Sequence, residues 1–595
     1  MNIKKHVVIA LLSLVVSSSL FGQLPNHPYP RTAVFHFGRA VPDWYARFDL
    51  VDLSTHNESV VKATKAINPT TIMLPTTGWT AWTPNYTEWY PPETKSNWLV
   101  QTSKGEDVAV EWQAYLVNLS NFCPEVNGKK YNERFPEFLL SDLIDVTVYD
   151  GLASDWLWSK PHNVSDVDFD MNGVNDYEEH GAAWVEKIWL EGVETMLSNF
   201  RKLISDDKLL LINSGLFQEW GWEHTNGPIL EYWSGISDWS YFWRVYTDFM
   251  DNAREPHVMI MDVKVDGGDS FRPDEDKNYF QLMRFMLTAT MLGDGYFDFA
   301  DEGSGHHYHR YYDEFDVQLG YPRSAGVKLS NGCYARFFDN GVSVINPTGT
   351  SRVVRDEDLR SISVYDGPYY RFIGGQAPDY NNGQQFTNIR LWGDVDSRDG
   401  KKVYGDGIIL VKEPAVVVAD IIIDNLDYGT SPSSETVKLQ GGWQQTDEGD
   451  NSWYIIDRAR SGWYPHAFVA PGNGDATAQF VPNIGVAGKY EVFEWHGTLS
   501  VKVASNAPCK IVSTDGVTNL TINQSNNVGK WNSLGVYEFA RGTKGMVELN
   551  NNANGVVLAD AVMFVSLDSN SGGKVEIDIT PPRPPQGIKV DYEGN

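Results

Sequence analysis

Two carboxylates stand out by where they fall in the chain. Asp155 lies in the stretch YDGLASDWLW (149–158), and Glu231 lies near the end of NGPILEYW (226–233). Each closes a short apolar, strand-like run, and each is soon followed by tryptophan. Acids at the ends of two strands are what cleavage of a glycosidic bond asks for: one protonates the leaving oxygen, and the other attacks the sugar carbon or activates water. The expected roles are Glu231 as general acid and Asp155 as nucleophile or base. A carboxyl gap of ~5–5.5 Å between them would mean retention, and ~6.5–9.5 Å inversion. Asp150 lies inside its run instead of at its end, so it reads as structural or as a support to the pair.

The loop DFDMNGVNDYEE carries a second pattern. Counted from Asp168, side-chain oxygens fall at positions one, three and five (Asp168, Asp170, Asn172), with Gly173 at six. Val174 offers its carbonyl at seven, Asp176 stands at nine and Glu179 at twelve. This is the ligand spacing of a twelve-residue calcium loop. A helix follows it and none clearly precedes it. The expected job of the Ca2+ is to stiffen the loop beside Asp155. Further on, DEGSGHHYHRYYDEFD holds His306, His307 and His309, whose spacing matches no catalytic zinc motif. It reads as a rim loop in which His307, His309 and Asp313 touch sugar hydroxyls. Asp262 and Lys264 close another apolar run and are further rim candidates, with Asp262 the alternative partner to Asp155. Trp79, Trp156, Trp220 and Trp233 sit in loops or at strand ends, where they would stack on sugar faces unless the core claims them.

The elements that must position these residues are legible. Apolar β-rich runs recur at 32–38, 48–53, 70–76, 146–156, 208–215, 227–233, 257–265 and 296–301. Helical periods separate several of them, clearest in AAWVEKIWLEGVETMLSNFRKLI and KNYFQLMRFMLTATML, with apolar residues three and four apart. The link between the fifth and sixth runs is almost absent. Eight strands with intervening helices in ~300 residues is the count of a (β/α)8 TIM barrel. An open doubly wound sheet is the competitor, but no glycine-rich phosphate loop follows the first strand. After residue 325 helical periods vanish and short alternating runs appear, which predicts antiparallel β-sandwich domains. The expected divisions are a signal peptide at 1–22, the barrel at 23–325, a β-sandwich at 326–430, an accessory β domain at 431–568 and a Pro-rich linker at 569–595.

Composition narrows the function. The start MNIKKHVVIALLSLVVSSSLFG has a basic beginning, an apolar centre and a small-residue end, as a secretory signal does, so the chain is expected to be secreted, periplasmic or extracellular. No later apolar run reaches the ~20 residues of a membrane span. The 595-residue chain carries a net charge of −30, which argues against nucleic acid as a partner. Three scattered cysteines make no disulfide framework. Fifteen of the 21 tryptophans precede residue 330, so the first half is either a very aromatic core or a sugar-stacking surface. Oligomeric state has no signal.

These residues also support a resemblance. DGLASDW, the Asp-rich DVDFDMNGVND, NGPILEYW, YYDEFDVQLGYP and NGVSVINPT together resemble a family of secreted bacterial glycoside-hydrolase-like barrels, over about residues 30–415. The resemblance implies that the aspartate of the DGxxxD strand and the glutamate of the NGxxLE strand are the active-site acids. Those are Asp155 and Glu231. Here Ala153 and Ser154 replace the larger residues usual before that aspartate. Acids on the fourth and sixth strands further resemble retaining enzymes that cut α-linked sugars. WYPHAFVAPG, GKYEVFEWHG and VVLADAVMFV are similar to the golvesin-like β module found beside polysaccharide-active enzymes, and the tail resembles the start of a fibronectin type III module. The expected function is a secreted glycoside hydrolase acting on a polysaccharide. The alternative is a non-catalytic carbohydrate-binding or surface-attachment protein on a degenerate barrel.

Overall fold

A computed structural model describes residues 24–54, 57–214, 220–233, 238–264, 277–300, 306, 309, 311–393, 395–396, 402–403, 405–425, 436–446, 453–455 and 466–569. The expected signal peptide and the Pro-rich tail lie outside the described residues.

All eight expected strands form: β1 Ala33–His36, β2 Leu50–Leu53, β3 Ile72–Gly78, β4 Gly151–Asp155, β5 Leu209–Ile212, β6 Gly227–Trp233, β7 Ile260–Lys264 and β8 Tyr296–Ala300. They pair in chain order, every neighbour parallel. β8 then returns to β1. Thr32 bridges Phe297 in parallel, and the Phe297 N–H donates to the Arg31 carbonyl at 2.9 Å. Three residues further along the chain, the Phe35 N–H donates to the Asp298 carboxylate at 2.8 Å, so a side chain extends the seam. The sheet is a near-closed barrel.

The helices include α1 Glu58–Ile67, α2 Tyr131–Phe138, the short α3 Asp176–Glu179, α4 Ala182–Leu203, α5 Trp239–Asn252 and α6 Lys277–Thr290. Among the described residues no helix joins β5 to β6, which is the weak link seen in the sequence. In α4 the residues Val185, Ile188, Trp189, Val193, Met196 and Phe200 recur at helical spacing and are buried, which is why this long segment is an amphipathic helix laid on the barrel. Side chains alternate along each strand. Phe35, Leu50, Leu74, Ala153, Leu211 and Ile260 are among those that fill the barrel. The intervening Val34, Val51, Met73, Leu152 and Leu210 pack outward on the helices. No described helix is long and apolar enough to cross a membrane.

Beyond the barrel, Val327–Lys328, Tyr334–Phe338, Gly341–Asn346 and Asp406–Val411 form an antiparallel sheet, sharing a core with the ribbon Arg352–Arg355/Asn388–Leu391. Arg284 of α6 reaches Asp406 of this sheet at 3.0 Å, both side chains buried. The final module has a five-stranded sheet, a four-stranded sheet and a three-stranded sheet around one apolar core. Its four-stranded sheet includes Ile421–Asp424, paired with Ala561–Ser566. By pairing, this strand lies with the last module. That module also grips the barrel. Arg39–Ala40 pairs with Tyr454–Ile455, and Trp453 and Trp495 join the same apolar cluster as Trp44 and Tyr45. All three cysteines are buried and free.

Candidate active site

Following each inward-facing column two residues toward the C-terminal end of its strand changes the chemistry. Leu50 gives way to Asp52, Leu74 to Thr76, Ala153 to Asp155 and Leu211 to Asn213. Ile229 gives way to Glu231, Ile260 to Asp262 and Tyr296 to Asp298, while β1 alone stays apolar with Phe37. The barrel is therefore greasy below and carboxylate-rich at the end where barrel active sites are built.

The acids divide by exposure. Asp52, Asp262 and Asp298 are buried, whereas Asp155 is half-buried and the Glu231 side chain keeps 22% of its surface. Glu231 and Asp262 are register partners on β6 and β7, and Asp262 is in turn partner to Asp298 on β8. His306 sits between the first two. Its Nε2 lies 3.1 Å from Glu231 Oε1, and its Nδ1 lies 3.4 Å from Asp262 Oδ2. The ring is wedged against Phe35 and Phe37 at centroid distances of 4.2 and 4.4 Å, and the His306 carbonyl accepts from the Phe37 N–H at 2.9 Å. A buried carboxylate thus steers an imidazole toward an accessible one.

Asp155 is held from two sides. Its Oδ1 accepts from the Asn213 amide and from the Trp156 N–H, both at 3.0 Å. Trp156 has a left-handed backbone, φ 58°, which costs a bulky residue about 1–3 kcal/mol. The surroundings hold it there: Thr80 Oγ1 donates to the Trp156 carbonyl at 2.5 Å, and the Leu157 N–H donates to the Asn213 carbonyl at 2.9 Å. The turn puts Trp156 in a stack with Trp158, rings 18° from parallel and both half-buried, directly after Asp155. Asp52 accepts from the Thr76 hydroxyl. Burial, and then the nearby charges of Asp155, Asp298 and Asp262, push its carboxyl well above the usual range. Asp298 completes the ring, 3.3 Å from His309 Nε2.

Several residues expected at a sugar surface lie elsewhere. Trp79 is fully buried, stacked on Phe200 of α4 at 4.2 Å, and its position is an outward one on the strand parity. Trp220 is packed into the same outer core. Asp262 and His309 are buried and face other ring members, so they support the site and do not line it. Asp313 is also buried, with its oxygens accepting from the backbone N–H groups of Gly375, Gln376 and Ala419 at 2.7, 2.8 and 2.9 Å. It fastens the barrel to the β domains. Burial, and next Glu314, push its carboxyl up to about 7. Lys264 and Trp233 are register partners at the ends of β7 and β6, and their side chains lie outside the described residues, as does His307. The structure adds Asp52, Asn213, Asp298 and His306 to the site. Parity from the apolar inward positions would have found the first three.

The first part of the chain is thus a near-closed parallel barrel with a ring of carboxylates at the C-terminal end of its strands. For the last module, residues 428–566 match the Golvesin C-terminal domain family. The chain is also 31% identical over 156 residues to the xanthan lyase of Bacillus sp. (strain GL1), a match spanning 25% of this chain but only 15% of that protein. Among solved structures, the glycoside hydrolase domain of PelA from Pseudomonas aeruginosa aligns with 47% of this chain and 96% of its own, at 11% identity and TM-score 0.30. The Paenibacillus xanthan lyase aligns with 42% of this chain and 26% of its own, at 19% identity and TM-score 0.22.

Proposed function

We propose that the chain is an exported carbohydrate-active enzyme that hydrolyses glycosidic bonds of a polysaccharide, with Glu231 and Asp155 as the acting carboxylates. One observation carries this reading: of the five acids in the ring, these two retain access to solvent, and each is gripped by a neighbour built for it. Glu231, touched by His306, is placed to pass a proton to the leaving oxygen. Asp155, oriented by Asn213 and the Trp156 N–H, is placed to act as nucleophile or base. Buried Asp262 acts through His306. The Trp156–Trp158 stack offers a face for a sugar ring beside Asp155. The placement of the acids on β4 and β6 favours the retaining course on an α-linked sugar. Export rests on the signal-like first 22 residues.

The test is a panel of neutral and charged polysaccharides incubated with the wild type, Asp155→Asn and Glu231→Gln. Hydrolysis yields new reducing ends without an unsaturated, ultraviolet-absorbing sugar, and both variants lose turnover while retaining the polymer in affinity electrophoresis. Unsaturated ends would replace the reading with a lyase. Binding without cleavage, unchanged in the variants, would replace it with a carbohydrate-binding protein.

A further inference from the structure

The segment that leaves the barrel at Asp155 and returns through α4 contains the acidic loop 168–179, which the reading of the active site does not use. Gly173, at its sixth position, has φ +84°, and a Cβ there would meet nothing, so the turn is set by backbone conformation and not by crowding. Around it the acidic side chains converge. One ligand atom each from Asp170, Asp176, Glu179 and His180 all lie within 4.8 Å of one another.

Acidic loops on surfaces are common, and convergence alone would mean little. Asp176 is the exception. Its side chain is 0% exposed, yet it points into this cluster from the start of α3. One carboxylate oxygen accepts from the Phe169 N–H at 2.7 Å, and the other, Oδ1, is buried with no hydrogen-bond partner. The nearest cationic candidate, His180 Nε2, is 4.0 Å from it and 3.7 Å from Glu179 Oε2. A buried anionic oxygen without a donor is destabilising, so it calls for a positive partner. Asn172 answers in part. Its amide nitrogen donates to Asp170 at 3.2 Å and to Glu179 at 2.8 Å, standing with a dipole where two carboxylates face each other.

We propose that this loop binds one calcium ion, with Asp168, Asp170, Asn172, Asp176 and Glu179 supplying side-chain oxygens and Val174 its carbonyl. Oxygen donors in this number favour a hard divalent cation over zinc. The ion would fix more than its own loop. The Asp168 N–H donates to the Gln101 carbonyl at 2.8 Å, Asp166 accepts from Ser103 at 2.9 Å, and Asn118 donates to the Phe169 carbonyl at 3.2 Å. The loop is therefore tied to the excursion after β3, and cation binding would couple the segments following β3 and β4. None of this depends on the hydrolase reading.

The experiment is a terbium titration of the full chain after chelator treatment, read by emission sensitised through Tyr177 and Trp184, with calcium as competitor. Expected is a saturable, calcium-displaceable signal that Asp170→Asn and Glu179→Gln each weaken roughly tenfold or more, while Glu178→Gln leaves it unchanged. Asp170 and Glu179 lie outside the buried core, and a thermal melt of each variant checks that it folds. Absence of a calcium-displaceable signal, equal affinity in all variants, or displacement by zinc at far lower concentration than by calcium would overturn the proposal.

Discussion

His306 Nε2 lies 3.1 Å from Glu231 Oε1, which sets an imidazole against an acid of the barrel ring that retains solvent access. The other ring nitrogen, Nδ1, faces buried Asp262 at 3.4 Å, so one imidazole links the two carboxylates. Glu231→Gln should lower kcat about 100- to 10,000-fold with little change in polymer affinity. Turnover kinetics and affinity electrophoresis on the same preparations check this.

His306→Gln separates positioning from packing. If the imidazole holds Glu231 in its working state, kcat falls roughly tenfold or more and the pH–rate profile changes shape while KM stays put. A residue that only fills the space beside Phe35 and Phe37 would alter the melting temperature and leave the profile alone. Asp262→Asn should shift the same limb of the profile by a smaller amount.

The two kinds of tryptophan should behave oppositely. Trp79→Ala opens a cavity between β3 and α4 and should cost about 3–5 kcal/mol of stability. Trp156→Ala removes a half-buried ring beside Asp155 and should raise KM for the polymer. Denaturant melts and initial rates distinguish them.

Asp294 and Asp52 should give opposite signs. Asp294 accepts from Tyr29 at 2.5 Å and from Arg336 at 2.7 Å, and it titrates at about 2 despite its burial, with Arg336 and then Arg31 the strongest causes of the lowering. Its folded value lies below the unfolded one, so its stabilisation is present above pH ~4 and is lost as pH falls toward 2. Asp294→Asn should cost about 2 kcal/mol at pH 7 and much less near pH 2. Asp52 has a folded value above the unfolded one. Its fold is favoured at low pH and loses stability as pH rises past the unfolded value. Asp52→Asn should therefore hold or raise stability at pH 7.

Much of this was legible because barrel strands announce themselves twice, as apolar runs and as fixed parity. Asp155 and Glu231 were visible as acids closing such runs. Asp52 and Asp298 were equally visible in principle, two residues beyond Leu50 and Tyr296, but a column must be read across several strands before one acid at its end stands out. His306 was not separable from His307 and His309, because which imidazole of a loop reaches β6 is decided by the wedge of Phe35 and Phe37. Asp313 misled for a related reason: its partners, the amides of Gly375, Gln376 and Ala419, are more than 60 residues downstream. Tertiary donors leave no local trace.

The ribbon between Arg39–Ala40 and Tyr454–Ile455 has a consequence for inheritance. A terminal module strung on a linker can be lost or exchanged without harm to its neighbour. Here the loop after the first barrel strand completes its pairing with a strand more than 400 residues away, and Trp453 and Trp495 help seal the barrel's outer core. Deleting the module would bare an unpaired edge and a patch of indole at the barrel mouth, an invitation to aggregate. Transplanting either barrel or module therefore means carrying its half of the seam.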